Sequence, residues 1–379
     1  MTNTKLNVEK LFDGESIRFD QSITVVDGKI TDISNAVKGN QILPGTLVPG
    51  YIDIQVNGGG GFLFNQSPTV ETIKKIGKAH QQFGTTGWLP TLITDSYEKM
   101  IMAADAVAEA LKNNVPGVLG IHFEGPFLSK QKKGVHSESF IRKIGDEELT
   151  ILKRRDLGKV LVTLAPETVS PDQIRELVES GVIVSLGHSN ATFEQTNQAI
   201  NAGATGFTHL FNAMSPFESR KPGMVGAALL AKNCFSGIIL DGVHVHQDSA
   251  NLAYQMNKNL MLVTDAMPPV GSNENSFEFF GGKITRNGLK LTDTEGRLAG
   301  SALDMHTAVT NAEKMLKIEQ YEAINLASRN PAKFLGIERQ YGKLCIGFFA
   351  SMLLISDNGK VVANWVNGKN IFNDLNKNN

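Results

Sequence analysis

Short apolar segments alternate with amphipathic segments through the middle of the chain. Continuous runs rich in Val, Ile and Leu are typical of parallel strands that are buried on both faces. Helical periodicity separates several of these runs, at residues 70–83, 97–113, 171–180 and 193–202. Eight strand–helix steps predict an α/β fold, a (β/α)8 barrel of the TIM type, with a doubly wound open sheet as the main alternative. The candidate strands begin near Ile52, Gly87, Val118, Val160, Val182, Thr205, Gly237 and Met261.

Both ends of the chain have a different pattern, in which short β-like runs are separated by tight turns. Asp27-Gly28 joins runs at 22–26 and 29–33, and the segment 357–360 joins runs at 350–355 and 361–366. Asp-Gly between such runs is a strong hairpin signal. Because chain termini often lie close together, we predict that residues 1–47 and 336–379 form one small domain and that residues 48–335 form the barrel.

Composition narrows the class of protein and its partners. The chain has 379 residues, a hydrophobic fraction of 41%, a charged fraction of 20% and a net charge of −1. This charge gives no electrostatic reason to expect a nucleic acid or an anionic membrane as a partner. The two cysteines, Cys234 and Cys345, are far apart, which suits a reducing cytoplasm. We expect a cytoplasmic protein without a secretory signal or a membrane helix, because no apolar stretch has the required length.

Several of the apolar runs end on residues that can bind a metal ion or transfer a proton. The carboxyl ends of parallel barrel strands open onto one face of the barrel, where catalytic residues lie. We therefore expect these side chains to converge on one site. They are Glu124 after the run at 118–123, His188 after 182–187, His209 after 204–208, Asp241 and His244 after 238–240, and Asp265 after 261–264.

Glu124, His188 and His209 predict a metal site. The two histidines are 21 residues apart, which fits one strand–helix–strand step. Neutral imidazole binds zinc, iron and related divalent ions, and the carboxylate adds the negative charge that imidazoles lack. Two histidines and one glutamate leave a coordination position open for water, as in catalytic zinc sites. The alternatives are histidines that only make hydrogen bonds at the strand ends, and a Glu124 paired with a lysine.

Asp265 is predicted to be a general base. A carboxylate beside a metal site can take a proton from water and pass it to a leaving group. The alternative is a helix-capping role, but Pro268-Pro269 argue against a helix at this point. His122 lies two residues before Glu124 and faces the same side of the strand, so we predict a buried, neutral and structural role for it.

Six motifs carry a family resemblance. They are PGYIDIQVNG (49–58), HFEGPF (122–127), LAPE (164–167), GHSNAT (187–192), THLFNAM (208–214) and VTDA (263–266). In content and order they resemble the N-acetylglucosamine-6-phosphate deacetylase family of the amidohydrolase superfamily, over about residues 48–347 and the flanking β-rich ends. The resemblance implies a (β/α)8 barrel with a small β-sandwich. It also implies hydrolysis of the acetamide of N-acetyl-D-glucosamine 6-phosphate, giving D-glucosamine 6-phosphate and acetate.

The resemblance also implies roles for individual residues. Glu124, His188 and His209 match the metal ligands of the family, and Asp265 matches its general base. The other matches are to substrate contacts: His136 to a histidine on the acetamide, Asn212 and Ala213 to positions that bind the sugar phosphate, His244 to a further contact, and Arg220 to a phosphate-binding arginine from a neighbouring subunit. A homodimer, or a dimer of dimers, is therefore expected. The alternative for Arg220 is a solvated loop charge.

The first strand departs from the pattern of many amidohydrolases. These enzymes place His-x-His there to hold a second metal ion, whereas this chain has Gln55-Val-Asn57. Neutral amides are weak ligands for zinc or iron. We therefore expect one divalent ion per chain, with Zn²⁺ as the first choice and Fe²⁺, Co²⁺ or Mn²⁺ as alternatives. A second His-x-His, formed by His244 and His246, is interpreted as a substrate contact followed by a surface residue.

Three other functions compete with this interpretation. One is an amidohydrolase acting on cyclic amides, which usually carries the first-strand His-x-His that is missing here. Another is a deacetylase of the galacto epimer, N-acetylgalactosamine 6-phosphate, which the sequence does not distinguish. The third is a metal-binding barrel without catalysis, and the presence of Asp265 argues against it.

Overall fold

The computed structural model describes residues 3–37, 39 and 41–374 of the chain. The strands within these residues are, in chain order, β1 (Asn3–Phe12), β2 (Ile17–Val26), β3 (Lys29–Asn35), β4 (Leu43–Pro49), β5 (Tyr51–Val56), β6 (Gly58–Gly59), β7 (Phe62–Leu63), β8 (Thr85–Ile93), β9 (Gly120–Glu124), β10 (Lys159–Leu164), β11 (Ile183–Leu186), β12 (Gly206–Phe207), β13 (Phe235–Ile238), β14 (Leu260–Leu262), β15 (Ser276–Phe279), β16 (Gly282–Asn287), β17 (Lys290–Thr292), β18 (Leu298–Ser301), β19 (Met352–Ile355), β20 (Val361–Val366) and β21 (Lys369–Asn373). The helices are α1 (Val70–Gln81), α2 (Tyr97–Lys112), α3 (Asp146–Leu152), α4 (Pro171–Glu179), α5 (Phe193–Asn201), α6 (Gly223–Leu230), α7 (Gln247–Met256), α8 (Met305–Leu316), α9 (Gln320–Ala327) and α10 (Arg329–Phe334), with single 3₁₀ turns at Lys130–Lys132 and Glu138–Phe140.

An eight-stranded parallel sheet forms the centre of the molecule. Its order is β5-β8-β9-β10-β11-β12-β13-β14, so each strand pairs with the next barrel strand in sequence. Every one of these strands begins within two residues of its predicted position. Every residue of β5, β8 and β9 is buried, which explains why the apolar runs were continuous rather than alternating. The predicted (β/α)8 fold class is confirmed.

The barrel closes between its first and last strands. Val56, at the end of β5, forms a parallel bridge with Ala266, just beyond β14. The backbone amides of Asn57 and Gly58 both donate to the carbonyl of Ala266, at 3.0 and 2.8 Å. This closure brings the end of the first strand directly against the segment that carries Asp265.

Several helices around the barrel begin at capping residues, and one of these caps also fixes the end of a loop of the site. Thr192 caps α5, because its hydroxyl accepts from the amide of Gln195 at 3.2 Å while the Gln195 side chain accepts from the amide of Thr192 at 2.9 Å. This reciprocal pair is a capping box, and such caps stabilise a helix by about 1 kcal/mol. The cap fixes the point at which the chain leaves the loop that carries His188. None of the helices in the described part of the chain is both long and apolar enough to span a bilayer.

The two ends of the chain share one seven-stranded sheet. Its order is β21-β20-β19-β4-β1-β2-β3, and β19 pairs antiparallel with β4. The pairing of the chain ends is therefore as expected, and the sheet has a hydrophobic core of its own that includes Leu11, Ile23 and Trp365. The domain boundaries at 47/48 and 335/336 stay a prediction.

A four-stranded antiparallel sheet, β15 to β18, was not predicted. It follows the last barrel strand and returns to it, since the amide of Ser301 donates to the carbonyl of Asp265 at 2.9 Å. One sequence signal was present: Asn287-Gly288 lies between β16 and β17, and Asn-Gly is a strong hairpin dipeptide. The inserted sheet adds a wall to the face of the barrel at which the parallel strands end.

Candidate metal centre and substrate cavity

A cavity of about 310 Å³ opens at the carboxyl ends of the barrel strands. Most of the predicted site residues line it, although they are distributed over more than 140 residues of sequence. They are Glu124, His136, His188, His209, Asn212, Ala213, His244 and Asp265. The strand ends therefore converge on a single pocket, as the barrel geometry requires. Arg220 does not line this cavity.

Glu124, His188 and His209 form a compact group that can hold a metal ion. Their possible ligand atoms all lie within 4.8 Å of one another, and all three residues are buried. Oε1 of Glu124 lies 3.1 Å from Nε2 of His209 and 3.2 Å from Nε2 of His188, and the two Nε2 atoms are 2.9 Å apart. Two imidazole nitrogens and one carboxylate oxygen thus face a common point, which is the donor set of a catalytic zinc site.

Three residues of the site have a backbone conformation that residues other than glycine seldom adopt. His188, His209 and Asp265 have φ values of 46°, 34° and 50°, in the left-handed region. Each such residue costs of order 1–2 kcal/mol, and strain of this kind is concentrated at functional sites. Sequence reasoning could not find this feature, because the residues are not glycine. The turn after Glu124 does use glycine: a Cβ on Gly125 would lie 2.2 Å from Oγ1 of Thr94.

Hydrogen bonds beyond the metal group favour binding of a cation. Nδ1 of His188 donates to the carbonyl of Lys132 at 2.8 Å, which leaves its Nε2 without a proton and free to bind a metal. Nδ1 of His209 is buried and has no partner among the described residues. Burial raises the pKa of the Glu124 carboxyl, but the adjacent His188 and His209 rings outweigh it and hold this pKa well below its usual value. A charged carboxylate beside two imidazoles fits a divalent ion.

Asp265 lies next to this group and is held by amides of the first strand. Its Oδ1 accepts from Nδ2 of Asn57 at 2.6 Å and from Nε2 of Gln55 at 3.2 Å. The same Gln55 amide donates to Oε1 of Glu124 at 3.0 Å. Burial, and then the negative charge of Glu124, raise the pKa of the Asp265 carboxyl. Sequence analysis considered Gln55 and Asn57 only as poor ligands for a second metal and did not predict these contacts.

His136 reaches the site from the loop after β9. Its ring centre lies 4.3 Å from that of His188, and its Nδ1 lies 2.8 Å from Oγ1 of Thr94. Burial, and then the neighbouring His188, hold the pKa of His136 well below its usual value, so the ring is neutral. The Thr94 hydroxyl has one proton and two acceptors within reach, this Nδ1 and the carbonyl of Glu124 at 3.2 Å. With that proton directed at Nδ1, His136 carries its own proton on Nε2 and can donate it to a substrate. No signal in the sequence alone indicated this position.

His122 lies deeper in the barrel, as predicted. Its Nδ1 lies 3.0 Å from the carbonyl of Ile54, and its Nε2 lies 2.7 Å from Oγ1 of Thr163. Burial lowers the pKa of His122 to about 4, so it is a neutral hydrogen-bonding residue. Its contacts join β9 to β5 and to β10 beneath the site.

The rim of the cavity carries the other predicted contacts. Nδ1 of His244 donates to Oδ2 of Asp241 at 2.6 Å, and Asp241 also accepts the backbone amide of His244 at 2.8 Å. Asp241 therefore orients His244 rather than entering the metal group. His246 is exposed and caps α7 by accepting from the amide of Asp248 at 3.2 Å, in agreement with the surface role expected for it.

Arg220 is exposed and lies beside a different cavity, between the His188 loop and the start of α6. One chain alone therefore does not bring Arg220 to the metal group, and its predicted action across an interface stays a prediction. The metal-site cavity has two cationic side chains that sequence reasoning missed, Lys132 and Arg297. Arg297 lies on the unpredicted sheet and pairs with Asp293 at 2.7 Å.

Comparison with known proteins identifies relatives along nearly the whole chain. N-acetylgalactosamine-6-phosphate deacetylase of Shewanella sp. is 49% identical over 362 residues, which cover 93% of this chain and 91% of that protein. N-acetylglucosamine-6-phosphate deacetylase of Haemophilus influenzae is 34% identical over 342 residues, which cover 89% and 90%. The crystal structure of N-acetylglucosamine-6-phosphate deacetylase from Pasteurella multocida has a TM-score of 0.93 at 35% identity, with 97% and 99% of the two chains covered.

The match to a protein family covers both the barrel and part of the terminal sheet. Residues 46–371 fit the amidohydrolase family, and this range contains every residue assigned to the candidate site. The resemblance inferred from the six sequence motifs is thus confirmed. The chain belongs to the amidohydrolase family.

Proposed function

We propose that the protein hydrolyses the N-acetyl group of N-acetyl-D-glucosamine 6-phosphate, giving D-glucosamine 6-phosphate and acetate. The observation that carries this proposal is the convergence of Glu124, His188, His209 and Asp265 on one cavity. Relatives named for this reaction support it, since they match 89% and 97% of the chain. The reaction is a step in the breakdown or recycling of amino sugars.

Glu124, His188 and His209 would hold the divalent ion. Two imidazole nitrogens and a carboxylate oxygen suit Zn²⁺, and they also accept Fe²⁺, Co²⁺ or Mn²⁺. When bound, the ion would polarise the acetamide carbonyl and acidify the attacking water. The tautomer that the carbonyl of Lys132 imposes on His188 supports this role.

Asp265 and His136 would move and stabilise the charges of the reaction. Asp265 would accept a proton from the attacking water and return it to the sugar nitrogen, without which the amine is a poor leaving group. His136 is neutral and would donate a hydrogen bond to the acetamide oxygen as negative charge develops there. Both residues line the same cavity as the metal group.

The sugar phosphate would be bound by Asn212, Ala213 and His244, together with Arg220 of a second subunit. The exposure of Arg220, and its position outside the cavity of its own chain, support a role in the site of a neighbour. The planar fork of arginine donors matches a phosphate group. We therefore propose a homodimer, and we keep the cytoplasmic location as a prediction from the sequence.

The galacto epimer is a second candidate substrate. It differs from the gluco epimer only at the C4 hydroxyl, and the relative named for it is 49% identical to this chain, against 34% for a relative named for the gluco epimer. Recognition of one hydroxyl can change substrate preference by several orders of magnitude, because a buried polar group is left unpaired with the wrong epimer.

Acetate release from both epimers tests the proposed function. We expect the purified enzyme to deacetylate N-acetylglucosamine 6-phosphate, and to act poorly on unphosphorylated N-acetylglucosamine. A kcat/KM at least roughly tenfold higher for the galacto epimer would favour the second candidate. Absence of acetate from both phosphates, in protein with its metal bound, would reject the deacetylase proposal.

The Asp265→Asn variant should lower kcat by roughly 10²–10⁴-fold, because the amide keeps the shape of the side chain but cannot accept the proton. Its metal content should stay at the wild-type value. Asp172→Asn is the control, since Asp172 is exposed on α4 and does not line the cavity, and it should keep normal activity. If Asp265→Asn turned over at nearly the wild-type rate, Asp265 would not be the general base.

Elemental analysis should find one divalent ion per chain, lost on treatment with a chelator together with activity. His188→Ala should lose the ion, because only two of the three donors remain. His246→Ala should keep it, since His246 is an exposed helix cap. Two tightly bound ions, both needed for activity, would show that Gln55 and Asn57 do not prevent a second metal.

The Arg220→Ala variant should mainly raise KM. Loss of a charged contact to the phosphate costs about 1.5–3 kcal/mol, or roughly 10- to 100-fold in affinity. Arg175→Ala, at an exposed arginine on α4, is the control. Mixing Arg220→Ala with Asp265→Asn subunits should restore activity at low substrate, because half of the sites in a heterodimer are then intact. Proven heterodimers without this recovery would argue against a shared site.

A further inference from the structure

The first barrel strand ends in two buried amides to which the proposed function gives no part. Gln55 is 1% exposed and Asn57, the residue directly after β5, is not exposed at all, and both side chains point to the same carboxylate. Burial of polar side chains is costly unless they make hydrogen bonds. Their partners therefore indicate why they are there.

Both amides donate to the candidate general base. Nδ2 of Asn57 lies 2.6 Å from Oδ1 of Asp265, and Nε2 of Gln55 lies 3.2 Å from the same atom. The orientation of the Asn57 amide is fixed, because its own oxygen at this distance would repel the carboxylate. Among the described residues, none donates to Oδ2 of Asp265, so one carboxylate oxygen is held and the other is left for the cavity.

The carboxylate of Asp265 needs to be held. Glu124 is also negative and shares the Gln55 amide with Asp265, so the two carboxylates repel each other across a short distance. The backbone around Asp265 is fixed by barrel closure, through the bonds to Ala266 and from Ser301. Backbone bonds do not set the rotation of the side chain, whereas a hydrogen bond to one carboxylate oxygen does.

Packing alone does not explain Asn57. Its Oδ1 is buried without a partner among the residues that the structure describes, which destabilises the fold. An apolar residue of similar size would fill the same space without this cost. A residue that destabilises the fold beside a cavity is expected where that residue has a role in function.

We propose that Asn57, assisted by Gln55, is a positioning residue for Asp265: it binds Oδ1 so that Oδ2 is the atom that accepts the proton. This inference rests on the proposed deacetylase function.

The test compares Asn57→Leu and Asn57→Asp with the wild-type enzyme loaded with its metal. Both variants lack the amide donor, and Asn57→Asp keeps the shape of the side chain while it sets a second carboxyl group against Asp265. We expect kcat to fall roughly 100-fold in each, since small misplacements of a catalytic group have effects of this size, while KM changes by less than about threefold. Metal content should stay at the wild-type value. The crystal structure of Asn57→Leu should show the Asp265 carboxylate rotated.

Asn364→Leu is the matched control. Asn364 is also fully buried, with an unpartnered Oδ1, but it lies in the terminal sheet and binds the carbonyl of Gln81 at 2.8 Å. Its substitution should change the thermal midpoint and not kcat. If Asn57 had only a structural role, Asn57→Leu would likewise change the thermal midpoint and leave kcat at its wild-type value.

A double-mutant cycle separates positioning from an independent effect. With Asp265→Asn as the background, Asn57→Leu should lower the residual rate by less than about threefold, because there is no base left to position. An undiminished 100-fold loss in that background, or an active wild type with both Asn57 variants at normal kcat, would overturn the inference. A wild type inactive on both epimers would instead reject the proposed function, and the inference with it.

Discussion

Closure of the barrel between its first and last strands is the constraint on which the site depends. The bridge from Val56 to Ala266, and the two amide hydrogen bonds to the Ala266 carbonyl, set the end of β5 against Asp265. An open sheet would place its first and last strands at opposite edges, and these residues would not meet. The group formed by Glu124, His188 and His209 depends less on barrel closure, since these residues lie at the ends of strands that are near neighbours in the sheet.

The electrostatics of the site separate two carboxylates by role. The two imidazoles beside Glu124 outweigh its burial, so the pKa of this carboxyl lies well below the usual value. Asp265 is raised in pKa by burial and by the charge of Glu124, and it receives only neutral amides. Environments that push the pKa values of two neighbouring acids apart commonly separate a stabilising group from a proton-transfer group. The stability lost in this arrangement, and in the left-handed backbone of His188, His209 and Asp265, is the expected cost of a preorganised site.

The amino-acid sequence predicted the barrel and the metal group because both follow from local rules. A strand buried on two faces must be apolar, so β8 or β10 can be located without tertiary information. The contacts of Gln55 and Asn57 with Asp265 could not be predicted in this way, since they join residues more than 200 positions apart. The inserted sheet was missed for another reason: its strands are short and only partly buried, as in Lys290–Thr292, where Leu291 alone is buried, so they lack a clear apolar pattern. Arg297 lines the cavity because it lies in the turn that leads into β18 of this sheet.

The first strand shows how a fixed backbone can carry different chemistry. Positions 55 and 57 face the same side of β5, and barrel closure aims both at Glu124 and Asp265 whatever residues they hold. Imidazoles at these positions would offer lone pairs to a second ion, whereas amides offer N–H donors to the carboxylates. Because a carboxylate can be fixed either by a cation or by hydrogen bonds, Asp265 can keep its place in both cases. Two side chains could therefore change the number of metal ions that this fold holds, while Asp265, the candidate general base, stays in the same place.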